Sequence, residues 1–261
     1  MKAVTGIFSS KAQAERAISA LQSQGIPSDK ITLLTPGDAH AGPAEVPTDA
    51  AEQPGIGKAI GAVVGAAAGL SGAALAAVVP GVGPVTAIGL LGAALLTAAG
   101  AGVGAVAGES LDSFLSQGVP EDELFVYEDA LRKGRSVVVA LADDAESAST
   151  LRKTLETAGA EAVDAAREQW WIGLRSAEEE HYARSGRPFK DDEKFYRMGF
   201  EAALHSRTRC KEFDQVSAEM ASQLEDLQRQ YPGVNLETAF TEGYQRGREH
   251  YQQLCDEKKA A

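Results

Sequence analysis

Between Ala59 and Gly108 the chain has no charged side chain at all, although 24% of its 261 residues are charged. It also lacks positive charge overall: 25 Lys+Arg stand against 37 Asp+Glu, a formal net charge of -12. That balance argues against nucleic acid as a partner, and against docking on anionic lipid through charge alone. Any membrane contact must be apolar. Cysteine is nearly absent too, with only Cys210 and Cys255. Met1-Lys2-Ala3-Val4 has no secretory pattern, so a reducing, cytosolic setting is expected. The two thiols are read as ordinary helix residues or as a single bridge.

Other absences narrow the chemistry. The four histidines (His40, His181, His205, His250) show no HxxxH or HExxH spacing, and no CxxC occurs, so no metal site is expected. Gly100-Ala101-Gly102-Val103-Gly104 is followed by no Lys-Ser/Thr and lies within an apolar segment, which excludes a phosphate loop. The acid pairs Asp143-Asp144 and Asp191-Asp192 both precede helical patterns, where capping is their ordinary use. No catalytic residue and no cofactor are therefore assigned, and the expectation is a non-enzyme.

What is there reads as two folded parts around an insert. Residues 3–9 form an apolar, β-branched strand pattern, followed by a helical stripe of Ala14, Ala17, Ile18 and Leu21 that Gly25 stops. Ile31 to Thr35 is a second strand, and residues 36–54, rich in Pro, Ala, Gly and Asp, read as a linker. After the insert, Pro120 and the acids 121–123 open a helix that Gly134 closes. Ser136 to Ala142 is a strand, Asp143 or Asp144 caps a helix carrying Ala148, Leu151 and Leu155 up to Gly159, and a weaker strand is expected near 161–166. Without the insert and its trailing helix, this order predicts a ferredoxin-like sandwich with an antiparallel sheet and helices on one face. The fold class is thus α+β, with the sandwich halves at 1–35 and 109–170. Ser23-Gln24-Gly25-Ile26-Pro27 recurs as Ser116-Gln117-Gly118-Val119-Pro120, which a helix stop followed by an extended X-Pro step explains.

The insert, residues 55–108, is read as a glycine-rich α-helical hairpin. Its two segments, 59–79 and 85–107, would be about 31 and 35 Å long, against a hydrocarbon core of about 30 Å. Pro80, Gly81, Gly83 and Pro84 supply the turn. Gly57, Gly61, Gly65 and Gly69 recur at every fourth position, as do Gly100, Gly104 and Gly108, and would line a groove for close helix packing. Large aliphatics are sparse: Ile60, Val63, Val64, Leu70, Leu75, Val78 and Val79 in the first segment supply about -2 to -4 kcal/mol on an insertion scale. One helix alone therefore inserts marginally. Two destinations stay open, a two-span membrane hairpin with both folded parts in the cytoplasm, or a soluble homo-oligomer whose hairpins bundle in its core.

After Trp170-Trp171 the composition turns charged and aromatic. Residues 171–191 are read as a linker, and 192–261 as a small three-helix domain with helices from near Asp192, from 212 to 230 and from 236 to about 257. The Trp pair is assigned to core packing at the sheet edge. Phe195-Tyr196-Arg197-Met198-Gly199-Phe200 aligns with Ala239-Phe240-Thr241-Glu242-Gly243-Tyr244 at an offset of 44, the pattern of aromatics packed over a glycine at a helix crossing.

Ala3 to Leu34 and Gly118 to Val163 resemble the YflT-like general stress proteins, in which a strand, helix, "GIP" and strand precede a glycine-rich insert, then "GVP" and an acidic helix. The C-terminal part is similar to a module of stress-associated bacterial proteins with a recurring aromatic-x-x-Gly-aromatic helix, although Phe213 and Leu224 stand where that module often carries tryptophan. The resemblance implies stress-linked expression in a bacterium and carries over no catalytic residue. The expected function is a non-enzymatic stress-response protein, self-associating and held at the inner membrane by the hairpin, with a soluble cytoplasmic scaffold as the alternative.

Overall fold

The computed structural model describes residues 2–37, 74–89, 92, 95–96, 121–209, 211–232 and 236–260. The chain divides into two compact units, Met1–Glu168 and Gln169–Ala261. It is an α+β protein. In the first unit, strand β1 (Lys2–Phe8), helix α1 (Lys11–Ser23) and strand β2 (Ile31–Pro36) are followed by β3 (Ala74–Val79), β4 (Gly83–Ile88), α2 (Leu124–Arg132), β5 (Ser136–Ala142) and α3 (Ala145–Thr157). The five strands form one antiparallel sheet in the order β1-β5-β2-β4-β3.

Local chemistry sets these boundaries. Ser10 caps α1 by accepting from the Gln13 amide, and Asp144 caps α3 by accepting from the Ser147 amide at 2.7 Å. Asp143 instead pairs with Lys30 at 2.7 Å. At the other ends, α1, α2 and α3 close in the same way. The glycine after each cap residue bonds back to the second-last turn residue, and the next amide reaches one residue further back, as in Ile26 N to Leu21 O and Arg135 N to Ala130 O.

The sheet is covered on both faces. Ala14, Ala17, Ile18 and Leu21 of α1 and Ala148, Leu151 and Leu155 of α3 pack with Val4, Phe8, Leu33, Val138 and Ala140. On the opposite face α2 packs against β2 and β5. The helix that sequence pattern leaves aside with the insert is thus a layer of the fold, and all seven residues of β5 are buried between the layers.

Two expectations are overturned here. Residues 74–79 and 83–88 are strands of the sheet, where a helical hairpin was expected. The periodic glycines stop at Gly69 and resume at Gly100, so neither run reaches into 74–88. That interval holds Val78, Val79, Val85, Thr86 and Ile88, which favour a pleated surface. The turn is where expected but joins strands: Gly81 and Gly83 have φ of 72° and 104°, and the Val82 amide bonds to Val79 O at 3.0 Å. The strand expected near 161–166 shrinks to one bridge, in which Ile7 and Glu161 exchange both backbone bonds. From Val163 the stripe Val163, Ala166 and Trp170 has helical spacing, and α4 (Val163–Tyr182) begins there.

That helix also replaces most of the expected linker at 171–191; the connection is 183–188, with Gly186 at φ 75°. The three helices expected in 192–261 are α5 (Phe189–Leu204), α6 (Phe213–Gln230) and α7 (Leu236–Ala260), and the second unit, which begins at Gln169, also contains the later part of α4. Trp170 and Trp171 pack edge-on against Phe200 in this unit and not at the sheet.

The aligned glycines meet. A Cβ on Gly199 would lie 1.9 Å from Phe240 O, and one on Gly243 would lie 1.9 Å from Tyr196 O. One turn on, a Cβ at Gly247 would be 2.4 Å from Phe200 O. Helices α5 and α7 cross backbone on backbone, with each glycine under the aromatic-bearing turn of the other.

Gly199→Ala is expected to force the crossing apart and destabilise by about 1–3 kcal/mol or more, the range for overpacking a tight site. Gly173 on α4 has open space around its Cβ position, so Gly173→Ala should stabilise by about 0.5–1 kcal/mol. Denaturant unfolding of the two variants checks both signs, and equal effects would refute the crossing.

Candidate functional site

The site residues taken from sequence fall into two groups. Gly57, Gly61, Gly65, Gly69, Gly100, Gly104 and Gly108 lie outside the described residues. Pro80, Gly81, Gly83 and Pro84 are brought together at the β3–β4 turn, which is fastened from two sides. Arg132 Nε at the end of α2 donates to Gly81 O at 2.8 Å, and the Gly37 amide donates to Pro84 O at 2.9 Å. Gly89 closes the far end of the hairpin: its φ is 118°, and a Cβ there would lie 2.3 Å from Ile31 O. The hairpin is thus a fixed part of the first unit.

Sequence pattern missed the polar groups buried in the second unit. Trp171, Arg175, Glu178 and Tyr182 share one face of α4, and all four hold ionic or hydrogen-bonded partners. Glu178 is 2% exposed. It accepts from Tyr196 Oη at 2.7 Å and from Arg246 through Nε at 3.0 Å and Nη2 at 2.8 Å, a forked pair that ties α4 to α5 and α7. Arg246 also reaches Glu249 at 2.6 Å. Nearby, Glu193 accepts Arg175 Nε and Nη2, both at 2.8 Å, and Trp171 Nε1 at 3.0 Å. Tyr182 Oη donates to Asp192 at 2.5 Å, and Arg187 lies over its ring at 5.0 Å.

Burial alone would raise the Glu178 carboxyl, but the bonds from Arg246 and Tyr196 outweigh it and hold the group below its usual value of 4.5. Arg175 does the same for Glu193. Burial, then the neighbouring Glu178, keeps Tyr196 protonated far into the alkaline range. Beside this network a cavity of about 270 Å³ opens, lined by His181, Arg184, Tyr196, Gln245, Arg246 and Glu249 among others. Its charges of both signs are already engaged with one another at Arg246 and Glu249, so the arrangement fastens helices rather than presenting one charge to a ligand.

The first unit has a smaller polar cluster. Tyr127 Oη donates to Glu123 at 2.6 Å, and with that proton committed Thr5 Oγ1 donates to Tyr127 at 2.7 Å. Burial pushes the Glu123 carboxyl above its usual range despite the bond from Tyr127. A cavity of about 110 Å³ lies alongside, between Ala3 and Thr5 of β1 and Glu161 and Asp164. A carboxyl tuned in this way can take up and return a proton, yet no group of three or more metal-ligating side chains converges here or elsewhere among the described residues.

No protein-family model matches the chain, and no curated protein or solved structure matches it.

The signal for Glu178 was present but faint. It begins the run Glu178-Glu179-Glu180, which reads as a solvated face, and only its seven-residue spacing from Trp171 places it inward. Because its folded carboxyl titrates below 4.5, the unfolded chain binds more protons as pH falls. The stability it confers is full above about pH 4.5 and lost as pH drops through the lowered value. Glu178→Gln is expected to cost roughly 3–5 kcal/mol by leaving Arg246 without its buried carboxylate, with only the exposed Glu249 remaining. It should also flatten the acid limb of a stability-against-pH curve, whereas Tyr196→Phe should cost only about 1 kcal/mol. An unchanged acid limb in the Gln variant would count against the network.

Proposed function

We propose that the chain is a non-enzymatic bacterial stress-response protein that self-associates through its uncharged insert. The observation that carries the self-association is the position of the β3–β4 hairpin: it lies in the middle of the uncharged run 59–108 and forms the outer end of the sheet. The described part of the run, 74–88, thereby stands at one border of the sheet in a chain of net charge -12. The stress-linked and bacterial part of the proposal rests on the resemblance of Ala3–Leu34 and Gly118–Val163 alone.

The same geometry supports a ferredoxin-like reading of the first unit. Strands β1 and β2 run parallel on either side of β5, and Glu161 bridges β1 in the place of a fourth strand. The hairpin then adds two strands beside β2.

Of the two destinations for the insert, assembly between copies is favoured over a two-span membrane hairpin. The turn at 80–83 is fastened to α2, so it belongs to the folded unit. The uncharged residues left on either side, 59–73 and 90–108, would reach about 22 and 28 Å if helical, short of a core of about 30 Å. No helix among the described residues is long and apolar enough to cross a membrane. Apolar contact with a membrane surface is the second reading, favoured by the complete absence of charge from 59 to 108. In it the protein stands at the inner membrane with its folded units in the cytoplasm; in the first it is cytoplasmic.

Fractionation of the native protein with carbonate extraction, then light scattering with and without detergent, separates the readings. A multimer recovered in the soluble fraction is the expected result. Carbonate-resistant recovery with membranes would replace it by the membrane reading, and a soluble monomer at every concentration would overturn self-association.

A further inference from the structure

We infer that the β3 edge pairs antiparallel with the β3 edge of a second copy, so that the sheet continues across two chains; this rests on the self-association proposed above and names its surface. The backbone geometry comes first. Val78 stands opposite Pro84, which has no amide hydrogen, and the Pro84 carbonyl is taken by Gly37 on the side facing β2. Val78 and Pro84 are therefore a pair without mutual hydrogen bonds, and the amide and carbonyl of Val78 point away from β4. By alternation those of Ala76 and Ala74 do the same. Among the described residues nothing pairs with them.

The side chains agree. Val78 is 65% exposed, and Ala76, two residues back on the same face, is exposed too. Edge strands that stay unpaired usually carry charge, proline or a bulge, and β3, Ala-Leu-Ala-Ala-Val-Val, carries none of these. The opposite border of the sheet is managed differently: β1 begins with Lys2, is bridged by Glu161 at Ile7, and borders Glu123 and Asp164.

Charge selects the occupant. A partner recognised through charge finds none on this edge, and two surfaces of a chain at -12 repel almost anywhere else. Two β3 edges meet without opposing like charges. A two-fold centred on Ala76 places Ala76 opposite Ala76 of the other copy and Ala74 opposite Val78, so the small residues stand at the centre and the outward backbone groups match.

The test uses the full chain. Light scattering over a concentration series is expected to give an even-numbered assembly for the native protein and an association about tenfold or more weaker for Val78→Lys, whose lysine charges the exposed edge. In a Cys210→Ser, Cys255→Ser background, Ala76→Cys should form a disulfide-linked dimer on mild oxidation, because opposed Cα atoms would be about 5.5 Å apart. Val78→Cys should not, since its two copies would be about 14 Å apart. An assembly unaltered by Val78→Lys, with no cross-link at position 76, overturns the edge pairing and leaves self-association standing. A native protein that is monomeric throughout overturns both.

Discussion

The first unit depends on one ladder. Strand β5 lies between β1 and β2, with Val139 opposite Thr5 and Val138 opposite Leu33, although it follows β2 by about a hundred residues of sequence. Nothing local compensates the entropy of closing so long a loop, so the reward must come from the strand itself. All seven residues of Ser136–Ala142 are buried, which is possible only because α1 and α3 cover one face and α2 the other. The need to cover β5 twice is what recruits the helix 124–132 into the fold. Arg132, at the end of that helix, in turn fastens the β3–β4 turn. The hairpin's place at the sheet border is therefore a remote consequence of burying one central strand.

In the second unit the corresponding constraint is close approach. Gly199 and Gly243 let α5 and α7 meet at backbone distance, which brings Tyr196 and Arg246 near enough to share Glu178. The apolar crossing sets the spacing, and the charged fork fixes rotation, because two guanidinium bonds and a phenol bond to one carboxylate are lost if either helix turns. A buried pair of this kind contributes specificity more than net stability. That is consistent with a network whose members already engage one another.

Where local pattern and local physics coincide, the sequence was readable. The stripe Ala14, Ala17, Ile18, Leu21, the run Ser136–Ala142 and the stops at Gly25, Gly134 and Gly159 report on neighbours within a turn or two, the aromatic-glycine echo at offset 44 reports on a crossing of two helices through its repetition, and the structure places all of them as expected. The failures are of another kind. Val163–Tyr182 reads as a strand and a linker because the composition turns charged after Trp171, when Glu178 is buried and both it and Arg175 are paired to other helices. Glu178, Arg246 and Glu193 left almost no mark, since an acid or arginine reads the same whether it faces water or a partner seventy residues away.

The insert departs from its sequence pattern for a different physical reason. The two runs of glycine at every fourth position have a helical period, and that period is absent from the interval 74–88 between them. That interval has turn glycines between two β-branched segments, and a proline at position 84 that has no amide to donate and whose carbonyl accepts from Gly37. Absence of charge permits burial in lipid, in a helix bundle or in a sheet without choosing among them. The choice was made by β2, whose edge needed a strand: once β4 satisfies it, β3 inherits the same unmet hydrogen bonds one strand further out. A sheet that grows by neutral hairpins moves its open edge outward instead of closing it, and the edge it ends on is the one made of residues with no charge to repel a second copy.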